Sequence, residues 1–205
     1  MVTKHKGSII VLIFCGAISV FGHCKKNCAT VFYNFELGIR AYPDRDSVNI
    51  GDTIFFEIDE PVTLNDAGTG LLITYNQTKN LGTAISFAEL ISTNVVNQFA
   101  NNDFKIKLFK GVDVARPDTN RYREYLFAEV NQRFQFKIGV IPQKKGVYKM
   151  FVSNSANVSR ENDKCAKANF AINFKNTNQH LYLNEISFPG VILPAGGGVY
   201  LFRVK

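Results

Sequence analysis

The strongest constraint on this chain is a run in which side-chain character changes at every residue. Phe134, Phe136, Ile138 and Val140 fall on one side of an extended backbone, while Arg133, Gln135 and Lys137 fall on the other. Ala168, Phe170, Ile172 and Phe174 repeat the pattern later in the chain. A period of two describes a strand with one face buried and the other wet. Large rings at every second position need a facing layer, which points to stacked sheets.

Shorter segments extend that reading. The Gly51–Asp52 turn leads into 53–58, which Pro61 ends, and 71–75 and 125–130 are further strands. Lys105, Ile106, Lys107 and Leu108 alternate, and Tyr148, Met150 and Val152 share one face of 147–152. The stretches 180–186 and 199–204 complete the strand set, while 111–122 and 154–164 read as polar loops. In 80–102 the pattern mixes periods, predicting a strand or irregular element over 83–91 and a short helix around 95–100. About eight to eleven strands predict an all-β or mainly β two-sheet sandwich, immunoglobulin-like or of related Greek-key topology. At most a short helix is expected near residues 84–100.

The first residues read as a signal peptide. Lys4, His5 and Lys6 precede an almost wholly apolar stretch at 9–21, and Val20 and Gly22 occupy the third and first positions before a cleavage point at His23. A bilayer span needs about 20 apolar residues, more than this stretch supplies. Removing residues 1–22 from the 205 leaves 183, suited to a single mainly β domain over 23–205. Formal charge falls from +7 to +5 with the loss of Lys4 and Lys6. The basic excess is spread thinly, without the patch or module of a nucleic-acid binder, so no nucleic-acid partner is expected. A protein or glycan partner is. Membrane attachment follows only if the signal stays uncleaved or Cys24 is lipidated.

Three cysteines remain after cleavage: Cys24, Cys28 and Cys165. Export brings oxidising conditions, and a Cys28–Cys165 disulfide is preferred. Cys24–Cys165 and Cys24–Cys28 stay open as alternatives. The odd cysteine is free, paired with another chain, or modified. Lipidation of Cys24 would settle the parity, although His23 replaces the small residue expected before a lipidated cysteine.

No G-x-S-x-G, H-E-x-x-H, phosphate-loop or dinucleotide pattern occurs, so neither a catalytic residue nor a cofactor is assigned. His180, beside Leu181 and Leu183, reads as a surface or edge-strand residue. Glu57, Asp59 and Glu60 are the densest acids, with Glu57 and Asp59 on one strand face. A facing pair of carboxylates would serve a carbohydrate-active enzyme, the alternative to a binding protein. Asp44, Asp46 and Asp52 lack the spacing of a calcium loop, and no metal is expected. Arg116, Arg121 and Arg123 are the candidate ligand-binding residues, as rigid forks for carboxylate, phosphate or glycan on a loop at the sandwich end.

The segments IGDTIFFE (50–57), GTAISF (82–87), IPQKKGVYKMFVSN (141–154), KCAKA (164–168) and NQHLY (178–182) carry a resemblance. Read together, they resemble uncharacterised secreted β-sandwich-like proteins of Bacteroidetes-type bacteria, over nearly all of 23–205. The resemblance implies an exported β domain at the surface or in the periplasm, and it transfers no catalytic residue. Asp46-Ser47-Val48 and Asp52-Thr53-Ile54 are similar to the short O-glycosylation pattern of such bacteria.

Overall fold

The computed structural model describes residues 28–115, 120–176 and 178–205, and seventeen strands run through them. The first six are β1 (Val31–Tyr42), β2 (Ser47–Val48), β3 (Ile54–Pro61), β4 (Thr63–Asn65), β5 (Leu72–Thr74) and β6 (Thr78–Lys79). The next six are β7 (Gly82–Ser92), β8 (Val95–Asn97), β9 (Phe104–Lys110), β10 (Val112–Val114), β11 (Arg123–Leu126) and β12 (Ala128–Val130). The last five are β13 (Arg133–Pro142), β14 (Gly146–Val152), β15 (Ser155–Arg160), β16 (Ala166–Phe174) and β17 (Val199–Val204). The expected signal segment 1–22, His23, Cys24 and Arg116 lie outside the described residues.

One sheet has eight strands in the order β12-β13-β3-β1-β16-β15-β6, with β9 also beside β13. The other has seven, β10-β11-β7-β14-β17-β2, with β8 beside β7. A two-stranded ribbon, β4-β5, stands apart. The alternation of β13 and β16 becomes the inner face of the eight-stranded sheet: Phe134, Phe136, Ile138, Val140, Phe170, Ile172 and Phe174 are all buried. Tyr148, Met150, Tyr200 and Phe202 answer from the seven-stranded sheet. The layers meet ring to ring, Phe56 edge-on to Tyr200 at 5.7 Å and Tyr125 against Phe136 at 5.4 Å. Each such ring contributes about 1.5–3 kcal/mol by leaving water. Buried tyrosine hydroxyls need partners: that of Tyr75 donates to the Val158 carbonyl at 2.9 Å. Burial pushes the Tyr75 and Tyr125 hydroxyls up to about 12.

The expected mainly β, sandwich-like arrangement is therefore present, with mixed ladders. β1 runs parallel to β16, and β17 parallel to β2. Immunoglobulin-like or Greek-key connections do not follow from that pairing. Cys28 and Cys165 sit at disulfide distance, Cα to Cα 5.9 Å, at the start of the β1–β16 ladder.

Four local expectations are corrected. The loops 111–122 and 154–164 contain β10 and β15, short strands whose partners β11 and β16 supply the hydrogen bonds their polar side chains do not advertise. The segment 125–130 divides at Phe127, where the chain crosses from β11 in one sheet to β12 in the other. The region 83–91 lies in the long strand β7, in line with its strand reading, but the short helix expected around 95–100 is strand β8 over Val95–Asn97, followed by a 3₁₀ turn only at Ala100–Asp103. Finally, 180–186 forms a 3₁₀ helix, Leu181–Ile186, in place of a strand. Leu183 and Ile186 are three apart, so a three-residue turn brings both onto the second sheet.

That helix belongs to a cover. Residues 178–198 lie over the outer side of the seven-stranded sheet, where Leu90, Leu183 and Leu201 are buried with Ile186, Phe188 and Leu193 packed around them. Gln179 fastens the cover, donating to the Gly197 carbonyl at 3.1 Å and accepting from the Gly196 amide at 2.7 Å.

Candidate functional site

The outer face of the eight-stranded sheet carries a row of rings. Outward positions alternate along each strand, placing Tyr42 on β1, Phe55 on β3 and Phe109 on β9. Tyr42 stacks on Phe55 at 5.2 Å between centroids, and Phe55 meets Phe109 edge-on at 5.7 Å. Between them β13 presents Gly139. A Cβ at that position would lie 3.1 Å from the Phe109 ring and 3.5 Å from the Phe55 ring. The glycine is what lets two rings from strands on either side close over the one between. Phe109 remains 48 % exposed.

Cations lie over these rings. The Lys137 ammonium is 5.0 Å from the Tyr42 centroid and 5.2 Å from that of Phe55, and Lys107 is 5.0 Å from Phe109. Glu57 ties the row to the sheet: it accepts the Tyr42 hydroxyl at 2.8 Å and the Lys137 ammonium at 3.4 Å, with Lys110 at 3.7 Å. The Tyr42 hydroxyl and the Glu57 carboxylate beside it hold Lys137 above the ordinary lysine range. Next to the row is a cleft of about 540 Å³, lined by Gly38, Arg40 and Tyr42 of β1, Glu57, Asp59 and Glu60 of β3, and Arg133 of β13. Asp59 accepts from Arg133 Nε at 2.6 Å and from Gln135 at 3.3 Å. The Arg133 hydrogen bond holds the Asp59 carboxyl below the usual aspartate range.

The residues expected from sequence have the following places. Arg121 lies 5.6 Å above the Phe99 ring, while Arg123 is half-buried in β11 opposite Ile85. Glu57 and Asp59 do share a strand face, as expected, but each is engaged by cations. Asp44, Asp46 and Asp52 serve three different partners, accepting from the Tyr200 hydroxyl at 3.1 Å, the Tyr182 hydroxyl at 2.6 Å and the Asn49 amide at 2.8 Å. His180 is buried, correcting its surface reading. Its Nε2 lies 3.3 Å from Asp44 Oδ1 and its ring stands edge-on to Tyr200 at 5.4 Å, because a left-handed φ of 54° turns it inward before the 3₁₀ helix. Among the described residues no three His, Cys, Asp or Glu side chains form a group that could hold a metal ion.

The aromatic row itself was not singled out from sequence. Its available signal was Gly139, a glycine inside an otherwise unbroken alternation, which marks close approach of another group.

The chain matches no protein-family model, and no curated protein matches its sequence. The class is thus defined by architecture alone: a mainly β, sandwich-like domain with one outer face covered by its own chain.

Proposed function

We propose that this chain is an exported, non-enzymatic binding protein that holds a saccharide on the outer face of its eight-stranded sheet. The observation that carries the reading is the Tyr42–Phe55–Phe109 row, with Phe109 half in water. Aromatic faces are electron-rich and accept the C–H faces of a sugar ring, while neighbouring fixed polar groups accept and donate to its hydroxyls. Glu57, Asp59, Arg133 and Arg40 supply such groups in the adjoining cleft. A rigid sheet holds both in place without ordering cost.

Export is supported by the pattern of residues 1–22 and by a cysteine pair of the kind kept in oxidising compartments. The alternative enzyme would need one carboxyl kept protonated to donate to the leaving group. Asp59 is biased the other way, and Glu57 is engaged in ion pairs with Lys137 and Lys110.

A glycan array probed with the chain and with Phe55→Ser/Phe109→Ser tests the proposal. The unaltered chain should bind a subset of glycans, and the folded variant should lose them. Retention by the variant, or shortening of the bound glycan on incubation, would overturn it.

A further inference from the structure

We infer that the saccharide is acidic, bearing carboxylate or sulfate groups, and that it lies along β9 across Phe109; this rests on the saccharide-binding reading above. The face carries more cations than anions. Glu57, Asp59 and Glu60 stand against Arg40, Arg133, Lys105, Lys107, Lys110 and Lys137. Lys110 and Lys137 share Glu57, and Arg133 takes Asp59. Lys105, Lys107 and Arg40 have no carboxylate within ion-pair distance among the described residues, and all three are exposed.

Position makes that surplus useful. Lys107 pairs with Gly139 and Lys105 with Ile141 on β13, so both stand on the face that carries the rings. Alternate residues along a strand are spaced by about 6.8 Å, so two ammonium groups line the path that leads from Phe109. Lys107 already lies over the Phe109 ring. A ligand that offers apolar C–H faces and negative groups in one chain meets both features together. A neutral glycan would leave the lysines unused. Lysines on an edge strand also discourage pairing with other chains, and that role needs no ring beside them.

Calorimetric titration of the full chain with oligogalacturonate, heparin oligosaccharide, cello-oligosaccharide and manno-oligosaccharide, at low and high salt, tests the inference. An acidic ligand should bind at least about tenfold tighter than either neutral one, a difference of about 1.4 kcal/mol, and should weaken with salt. Phe109→Ala should weaken it about tenfold or more, and Lys105→Gln/Lys107→Gln should weaken it and flatten the salt dependence. The comparison among ligands uses the unaltered chain and stands even if a variant folds poorly. Neutral ligands bound as tightly, with loss in Phe109→Ala, would overturn the acidic ligand and keep the saccharide face. Acidic binding lost with the lysines but indifferent to Phe109 would mean charge attraction alone, overturning the seat across the Phe109 ring and the saccharide-binding reading built on it. Binding of none of the four would overturn the inference and the function together.

Discussion

On the outer side of the seven-stranded sheet, Leu90 and Leu201 are 3 % and 0 % exposed because residues 178–198 lie over them. On the outer side of the eight-stranded sheet, Phe109 keeps 48 % of its surface in water. Both faces carry large apolar groups. One set is sealed by the chain itself; the other is left among lysines, arginines and carboxylates. Apolar surface that a sequence covers contributes to stability, whereas apolar surface left beside charged groups contributes little to it. On the proposed reading, the difference separates residues that hold the molecule together from residues left for a ligand.

That contrast can be broken or sharpened by substitution. The largest effect belongs to the covalent tie on the open-faced sheet. Cys28→Ser/Cys165→Ser frees a segment of 137 residues in the unfolded chain and should lower stability by about 5 kcal/mol in urea melts. Next comes the covered face: Leu201→Ala should cost about 2–5 kcal/mol, and a similar truncation at Phe109 on the open face should cost far less. Equal losses at the two positions would erase the distinction.

Lys149 gives a smaller and opposite test. It lies under the cover, 5.1 Å from the Phe151 ring and 5.8 Å from that of Phe188, and donates to Asn184 Oδ1 at 3.3 Å. Burial holds its ammonium below the ordinary lysine range. The unfolded chain therefore keeps that proton to higher pH, so stability should rise as pH climbs through the folded value toward 10.5. Lys149→Met should remove that rise and stabilise the chain by at most about 1 kcal/mol at neutral pH, read from thermal melts.

The smallest effect is expected at Asp59 on the open face. Arg133 holds its carboxyl below the usual value, so its contribution is complete above the unfolded value of 3.8 and is lost as pH falls through the folded one. Both side chains are well exposed, and solvent screening keeps Asp59→Asn within about 0.5 kcal/mol in urea melts on either side of the aspartate range.

How far the sequence reveals this contrast depends on the range of the contacts involved. The inner face was legible from Phe134 to Val140 and from Ala168 to Phe174, since period two is a local property of the chain. The cover was not. Leu181 to Ile186 offers a short apolar run that serves equally as strand or helix, and only the waiting surface of Leu90 and Leu201 decides between them. The polar segments holding β10 and β15 were missed because their strand character comes from backbone pairing with the strands that follow, β11 and β16, and not from an apolar alternation of their own. The site was the least legible part. Tyr42, Phe55 and Phe109 come from three strands, and their meeting depends on register. Arg121 lies over the Phe99 ring and Arg123 opens β11, placements that the polar sequence around them does not announce.

The most direct test of the open face is two-dimensional NMR of the isotope-labelled chain titrated with oligogalacturonate. Shift changes should gather on the amides of β3, β9 and β13 around Gly139 and leave β14 and β17, beneath the cover, unmoved. Changes centred on Arg121 and Arg123 or on the 178–198 segment, with Gly139 and its neighbours silent, would contradict the account.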